Sequence, residues 1–138
     1  MTEAIKPVVL MADDDEDDCF LAKEAFLETG AGVDFSCVFD GVELMRYLSE
    51  HYRSEVIVLP RLILLDLNMP RKDGREALKE IKAEPVLRDI PIVIFTTSKE
   101  EKDLDFAKIA GAELFITKPA AYEEWVTIMK SLIERWLV

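Results

Sequence analysis

Short apolar runs alternate with longer amphipathic stretches along this chain, and that alternation limits the folds it can adopt. Brief runs rich in β-branched residues and bounded by turn-forming residues are typical of buried strands. They occupy residues 8–12, 33–39, 62–65, 92–95 and 114–116. The stretches between them carry apolar residues at helical spacing. Strands and helices in this regular succession predict an α/β fold built on a parallel sheet.

The helical stretches end at recognisable stop signals. Gly30 follows the first, Pro85 the third and Gly111 the fourth. The stretches cover residues 20–27, 42–48, 75–83, 100–110 and 122–137. Five strand–helix pairs in 138 residues predict one flavodoxin-like domain, with strand order 2-1-3-4-5 and helices on both faces of the sheet. In that order a ligand binds between strands 1 and 3, at their carboxyl ends.

The charge balance narrows the range of partners. The formal net charge is −11, so nucleic acid and anionic membranes would repel the chain, whereas a cation or a basic protein surface would attract it. The N-terminus shows no secretory signal, and the longest apolar runs are far too short to cross a bilayer. We therefore expect a cytoplasmic protein that binds neither nucleic acid nor membrane.

Polar residues that can carry chemistry follow four of the predicted strands. Strand 1 ends in the acidic run 13–18, strand 3 in Asp66, strand 4 in Thr96 and strand 5 in Lys118. The helix dipole accounts for the last acids of the run, at the start of helix 1. Asp13 and Asp14 should instead face Asp66 across the crevice. Three carboxylates so close repel one another unless a cation neutralises them. Mg²⁺ fits best because it needs few protein oxygens.

Asp66 is the candidate nucleophile. A carboxylate can attack a phosphoryl group if the accumulating negative charge is screened. The metal would screen one side and the ammonium group of Lys118 another, while the Thr96 hydroxyl could donate to a phosphoryl oxygen. The joint placement of these groups at one sheet edge predicts phosphoryl transfer.

These residues carry a family resemblance over essentially the whole chain. The acidic pair Asp13–Asp14, the segment 64–70 around Asp66, Thr96 and the pair 118–119 have the order and spacing of response regulator receiver domains of two-component systems. Segments 66–76 and 90–98 are similar to small single-domain receivers that partner cyanobacterial phytochromes.

The resemblance implies a role for each site residue. Asp66 would be the phosphoacceptor, with Thr96 and Lys118 holding the phosphoryl oxygens. Mg²⁺ would be bound by Asp14 directly, by Asp13 through water, by Asp66, and by the backbone carbonyl of Asn68. It also implies a cis peptide bond before Pro119, and a switch in which Thr96 moves and the aromatic Phe115 turns inward.

The resemblance further implies a signalling domain that catalyses only its own phosphorylation and dephosphorylation. Residues 1–138 would form one receiver without an output domain. The phosphoryl donor would be a sensor histidine kinase, phytochrome-like or of another kind, or a phosphotransfer protein. Output would pass through helix 4, strand 5 and helix 5 to an unidentified protein target, or to a second copy of the chain in a homodimer.

Three alternatives differ from this interpretation. An aspartate-nucleophile phosphatase needs a second Asp two residues after the nucleophile, where this chain has Asn68. A flavodoxin needs a first loop that cradles phosphate, whereas the acids of 13–18 would repel one. The third alternative is a degenerate receiver that only binds proteins, and the full set of site residues argues against it.

Overall fold

The computed structural model describes residues 6–53 and 58–137, and it contains the predicted five-stranded parallel sheet with order β2-β1-β3-β4-β5. The strands are β1 (Val8–Ala12), β2 (Asp34–Val38), β3 (Leu62–Leu65), β4 (Ile92–Thr96) and β5 (Leu114–Thr117). The helices are α1 (Glu16–Glu28), α2 (Gly41–Arg53), α3 (Gly74–Ala83), α4 (Glu101–Ala110) and α5 (Tyr122–Leu132). The fold is the flavodoxin-like fold that the strand–helix alternation predicts. Residues 1–5, 54–57 and 138 of the predicted domain lie outside the described residues.

The sheet has a hydrophobic core on each face because alternate strand residues point to opposite sides. One core packs α2, α3 and α4 against residues such as Leu10, Ile63 and Ile94. The other packs α1 and α5 against Met11, Leu64 and Phe95. All four residues of β3 and all five of β4 are buried, as expected for central strands covered on both faces.

The last helix ends differently from the prediction. The predicted helix over 122–137 is α-helical to Leu132 and continues as a π-helical turn over Ile133–Leu137. Trp125 of its apolar stripe is buried and meets Phe95 edge-on, with ring centroids 5.0 Å apart. Trp136 is only partly buried at the end of the stripe. No helix among the described residues is long and apolar enough to span a membrane.

The strand register brings the predicted site residues to one edge. Ala12 pairs with Leu65, and Thr96 pairs with Thr117. Asp13, Asp66 and Lys118 each follow the last residue of a strand. Their side chains therefore start at the same carboxyl edge of the sheet.

Candidate functional site

Hydrogen bonds to neighbouring strands fix the two central acids of the site. The backbone N–H of Asp13 donates to the carbonyl of Val38 (3.0 Å), and that of Asp66 donates to the carbonyl of Ala12 (2.9 Å). Asp13 is fully buried and Asp66 is 7 % exposed. Because both backbones continue the sheet ladder for one more residue, these carboxylates have little freedom to move away from each other.

The acidic run after β1 divides into residues with different contacts. Asp15 is the N-cap of α1, and its carboxylate accepts from the N–H groups of Asp17 (2.9 Å) and Asp18 (3.2 Å). Glu16, Asp17 and Asp18 lie in the first turn of the helix, as predicted. Asp14 is exposed, whereas Asp13 is fully buried.

Asp13, Asp14 and Asp66 form a compact oxygen cluster. Each can offer one carboxylate oxygen, and these three oxygens lie within 4.8 Å of one another. Burial raises the pKa of Asp13 to about 6. Its Oδ2 atom is buried and receives no hydrogen bond of good geometry, although Lys118 Nζ lies 2.6 Å away. A buried anionic oxygen with spare coordinating capacity, beside two further carboxylates, fits a hard divalent cation such as Mg²⁺.

Three carboxylates surround the ammonium group of Lys118. Its Nζ lies 2.6 Å from Asp13 Oδ2, 2.7 Å from Asp18 Oδ2 and 3.4 Å from Asp66 Oδ2. The Lys118 side chain is only 5 % exposed. Burial alone would lower the pKa of Lys118, but its close contacts with the carboxylates of Asp13 and Asp18 and the charge of Asp66 raise it. Lys118 is therefore held as a cation beside Asp66.

Asp18 also belongs to this group of charges, although its place at the start of α1 predicts only an interaction with the helix dipole. Its partner Lys118 stands 100 positions along the chain. No local pattern indicates such a contact.

The loop after Asp66 packs tightly against the start of α3. The N–H of Asn68 donates to Asp66 Oδ1 (3.3 Å), and the N–H of Gly74 donates to the carbonyl of Leu67 (3.0 Å). A Cβ atom at Gly74 would overlap the Asp66 carbonyl oxygen and lie 2.8 Å from Leu67 Cα. Only glycine allows α3 to begin this close to Asp66.

Thr96 lies at the same edge of the sheet as the acid cluster, whereas Phe115 lies two residues before the end of β5. Thr96 is fully buried at the end of β4, and its hydroxyl oxygen accepts from the N–H of Ser98 (3.4 Å). The carbonyl of Thr96 accepts from the N–H of Lys118 (2.7 Å), so the two residues are joined through the backbone. Phe115 is partly buried and lines a groove of about 250 Å³ between α4 and β5.

The expected cis peptide bond before Pro119 is wrong. No cis peptide occurs in the described part of the chain, so the bond between Lys118 and Pro119 is trans. The trans form of a bond to proline is favoured by about 0.5–1 kcal/mol unless the surroundings select cis. Here the Pro119 carbonyl accepts a hydrogen bond from the Trp125 indole (2.9 Å) with the bond in the trans form.

Residues 9–130 match the family of response regulator receiver domains. The chain belongs to the response regulator receiver family. This receiver is 33 % identical to the response regulator Rcp1 of Synechocystis sp., over 94 % of this chain and 88 % of that protein. It is also 33 % identical to a probable methanogenesis regulatory protein, FilR2, of Methanothrix harundinacea, over 94 % of this chain and 83 % of that protein.

Two solved receiver structures have the same fold. The phosphorylated cyanobacterial phytochrome response regulator RcpA superimposes with a TM-score of 0.85 and 36 % identity, over 96 % of this receiver and 95 % of that chain. The Mn²⁺-bound form of Rcp1 superimposes with a TM-score of 0.82 and 33 % identity, over 95 % and 94 %. Phosphorelay signalling is the known role of this family, whose members are signalling domains rather than conventional enzymes. Receiver domains bind Mg²⁺ through acidic residues, and the cluster of Asp13, Asp14 and Asp66 is consistent with this property.

Proposed function

We propose that this receiver accepts a phosphoryl group on Asp66 from the phosphohistidine of a sensor histidine kinase, in a Mg²⁺-dependent reaction. The observation that carries the proposal is the position of Lys118, whose Nζ lies 3.4 Å from Asp66 Oδ2 and contacts two further acids. An aspartate at a sheet edge beside a buried ammonium group and an oxygen cluster has what phosphoryl transfer requires.

Asp66 acts as the nucleophile. One of its carboxylate oxygens attacks phosphorus, the bond between phosphorus and the donor nitrogen breaks, and the imidazole leaves with the bonding electrons. Lys118 holds a positive charge beside the attacking carboxylate, and the Thr96 hydroxyl donates to a phosphoryl oxygen. Release of the phosphoryl group to water would use the same residues, so this domain would catalyse only its own modification.

Asp13, Asp14, Asp66 and the backbone carbonyl of Asn68 would hold the metal ion. When bound, Mg²⁺ supplies positive charge that offsets the negative charge of the phosphoryl oxygens. Lys118 Nζ contacts Asp13 and Asp66, two of the acids that would hold the ion. Without the ion, the ammonium group offsets the repulsion between these two acids, and it would compete with the ion for them.

Output follows from a shift between two populations of the domain. Phosphorylation draws Thr96 toward Asp66, lets Phe115 turn inward, and alters the surface formed by α4, β5 and α5. Phe115 is partly exposed on the groove between α4 and β5, which gives its ring room to change rotamer. This surface would dock a protein target or a second copy of the chain.

A sensor kinase of the phytochrome kind is the proposed donor. The support is the similarity to RcpA, which is described as a cyanobacterial phytochrome response regulator.

This chain aligns with Rcp1 over 88 % of the length of Rcp1 and with RcpA over 95 % of the length of RcpA. We therefore propose that residues 1–138 act as a single receiver unit that signals by non-covalent docking.

The test is the intact mass of the protein after incubation with acetyl phosphate, with and without Mg²⁺. We expect one phosphoryl group on the wild type with Mg²⁺, and none on Asp66→Asn. The matched control is Asp89→Asn, which changes an exposed acid outside the site. Phosphorylation that persists in Asp66→Asn, or that ignores EDTA, would overturn the assignment.

A further inference from the structure

A buried acid outside the metal cluster has no role in the chemistry described above. Asp103 lies in the first turn of α4 and is 4 % exposed. Its Oδ1 accepts from Arg75 Nη2 (2.7 Å), and its Oδ2 accepts from the Ser98 hydroxyl (2.7 Å). These two hydrogen bonds, that of Ser98 first, lower the pKa of Asp103. Because burying a charged carboxylate is costly, the residue needs both partners to remain in place.

Arg75 connects Asp103 to the loop that follows Asp66. Its Nη1 lies 3.1 Å from Asp73 Oδ2 and 3.4 Å from the side-chain oxygen of Asn68. The guanidinium group thus contacts Asn68 in the loop after Asp66, Asp73 at the start of α3 and Asp103 at the start of α4. Arginine is suited to this position because its planar fork can serve several acceptors at once.

Ser98 connects Asp103 to Thr96. Its N–H donates to the Thr96 hydroxyl oxygen (3.4 Å), and its carbonyl accepts from the Thr117 hydroxyl (3.1 Å). Its own hydroxyl, which donates to Asp103, also accepts from the N–H of Glu100 (3.2 Å). Every polar group of Ser98 is therefore engaged, and the loop between β4 and α4 is held at both ends.

We propose that the ion pair of Arg75 and Asp103 is a latch that restrains the loop 97–100 and so opposes the phosphoryl-bound arrangement of Thr96. This inference rests on the proposed function, because it assumes that Thr96 contacts a phosphoryl group on Asp66. To do so, the Thr96 hydroxyl must move toward Asp66, and the hydrogen bond that it accepts from the N–H of Ser98 couples this movement to the loop. Ser98 is tied to Asp103, and Asp103 is tied to Arg75. Both latch residues are positioning residues that act through Ser98.

We expect a phosphoryl analogue to bind Asp66 more tightly when the latch is broken. Beryllofluoride with Mg²⁺ imitates an aspartyl phosphate, and it must select the arrangement that the latch disfavours. Releasing the latch should tighten beryllofluoride binding at least about 5-fold, the lower end of ordinary coupling between sites. If Arg75 and Asp103 served only to hold the structure together, their loss would weaken binding instead.

The test uses Asp103→Asn, Arg75→Gln, their double variant and Arg75→Lys. The control is Lys102→Gln, which breaks the exposed ion pair of Lys102 and Glu100 in the same turn of α4. Beryllofluoride affinity is measured by calorimetry in excess Mg²⁺. We expect tighter binding in both single variants and no further gain in the double variant, because the two residues form one latch. Arg75→Lys keeps the charge and should bind with intermediate affinity, and Lys102→Gln should bind like the wild type.

Hydrogen exchange of the amides of 97–100 in metal-free protein provides a second measurement that does not depend on phosphorylation. Asp103→Asn should speed this exchange, whereas Lys102→Gln should leave it unchanged. Unchanged exchange in Asp103→Asn overturns the latch even if the wild type binds beryllofluoride well. Faster exchange with unchanged or weaker beryllofluoride binding overturns its coupling to the site. If the wild type binds no beryllofluoride while exchange behaves as expected, the result counts against the proposed function. The restraint of the loop 97–100 by Arg75 and Asp103 would still be supported, but its coupling to a phosphoryl group on Asp66 would be overturned.

Discussion

Replacing Gly74 with alanine tests how the fold positions Asp66. An added Cβ would overlap the Asp66 carbonyl oxygen, lie 2.8 Å from Leu67 Cα and lie 3.0 Å from the Asp66 carbonyl carbon. Ordinary contacts of a Cβ begin near 3.4 Å. All three atoms belong to backbone that continues β3, so no side-chain rotation can relieve the overlap. Either α3 or the loop after Asp66 must move.

The cost follows from two opposing effects. Overpacking a buried site costs about 1–3 kcal/mol, and contact with backbone places this substitution at the upper end. Alanine recovers up to about 1 kcal/mol in helix propensity and reduced entropy of the unfolded chain. We therefore expect Gly74→Ala to lower the free energy of unfolding by about 2 kcal/mol. Because the displaced atom belongs to Asp66, phosphorylation by acetyl phosphate should also slow.

Urea denaturation measures this difference, with Gly32→Ala as the matched control. A Cβ at Gly32 would have no atom within 4 Å. The control should change the unfolding free energy by no more than about 1 kcal/mol, in the stabilising direction. Gly74→Ala would refute the reasoning if it were as stable as Gly32→Ala and phosphorylated at the wild-type rate.

Three further predictions concern charge and backbone conformation. Burial raises the pKa of Asp13 from 3.8 to about 6, so the folded protein holds that proton more tightly than the unfolded chain does. As the pH rises from about 4 to about 6, the free energy of unfolding of the metal-free protein should therefore fall by up to about 3 kcal/mol relative to that of Asp13→Asn. Urea titrations with EDTA measure this difference, and a difference that stays constant with pH would contradict the prediction. Lys118→Met removes a cation that competes with Mg²⁺ for the acids, so calorimetry should show Mg²⁺ binding tightened on the order of 10-fold. Phosphorylation by acetyl phosphate should slow about 100-fold, because the positive charge beside Asp66 is lost. Weaker Mg²⁺ binding in this variant would contradict the competition. Gly111 ends α4 with φ +97°, so Gly111→Ala should cost about 1–2 kcal/mol of unfolding free energy; no loss would show that the backbone relaxes there.

The sheet could be predicted from the sequence because its signals are local. Each apolar run corresponds to a strand, and the run 8–12 has the same bounds as β1. Gly111 ends α4 as its position predicts, with a left-handed backbone conformation. Once the strand order is known, parallel strands bring Asp13, Asp66 and Lys118 to one edge. Their proximity therefore follows from topology.

Contacts between distant residues could not be predicted in this way. Asp18 reaches Lys118 across 100 positions, and Arg75 reaches Asp103 across 28. In the sequence, Asp103 is an ordinary acid at a helix start, and only tertiary packing buries it. The π-helical turn after Leu132 likewise has no short pattern in the sequence. The trans bond before Pro119 is the intrinsically favoured form, and the expectation of a cis bond came from the family resemblance alone.

The measurement that tests the central claim most directly locates the phosphoryl group. The protein is treated with acetyl phosphate and Mg²⁺ and then with sodium borohydride, which reduces an aspartyl phosphate to homoserine. It is then digested and sequenced by mass spectrometry. The account predicts homoserine at position 66 in the phosphorylated sample and unmodified Asp66 in a sample prepared with EDTA. Homoserine at Asp13, Asp14 or another acid, with Asp66 intact, would contradict it.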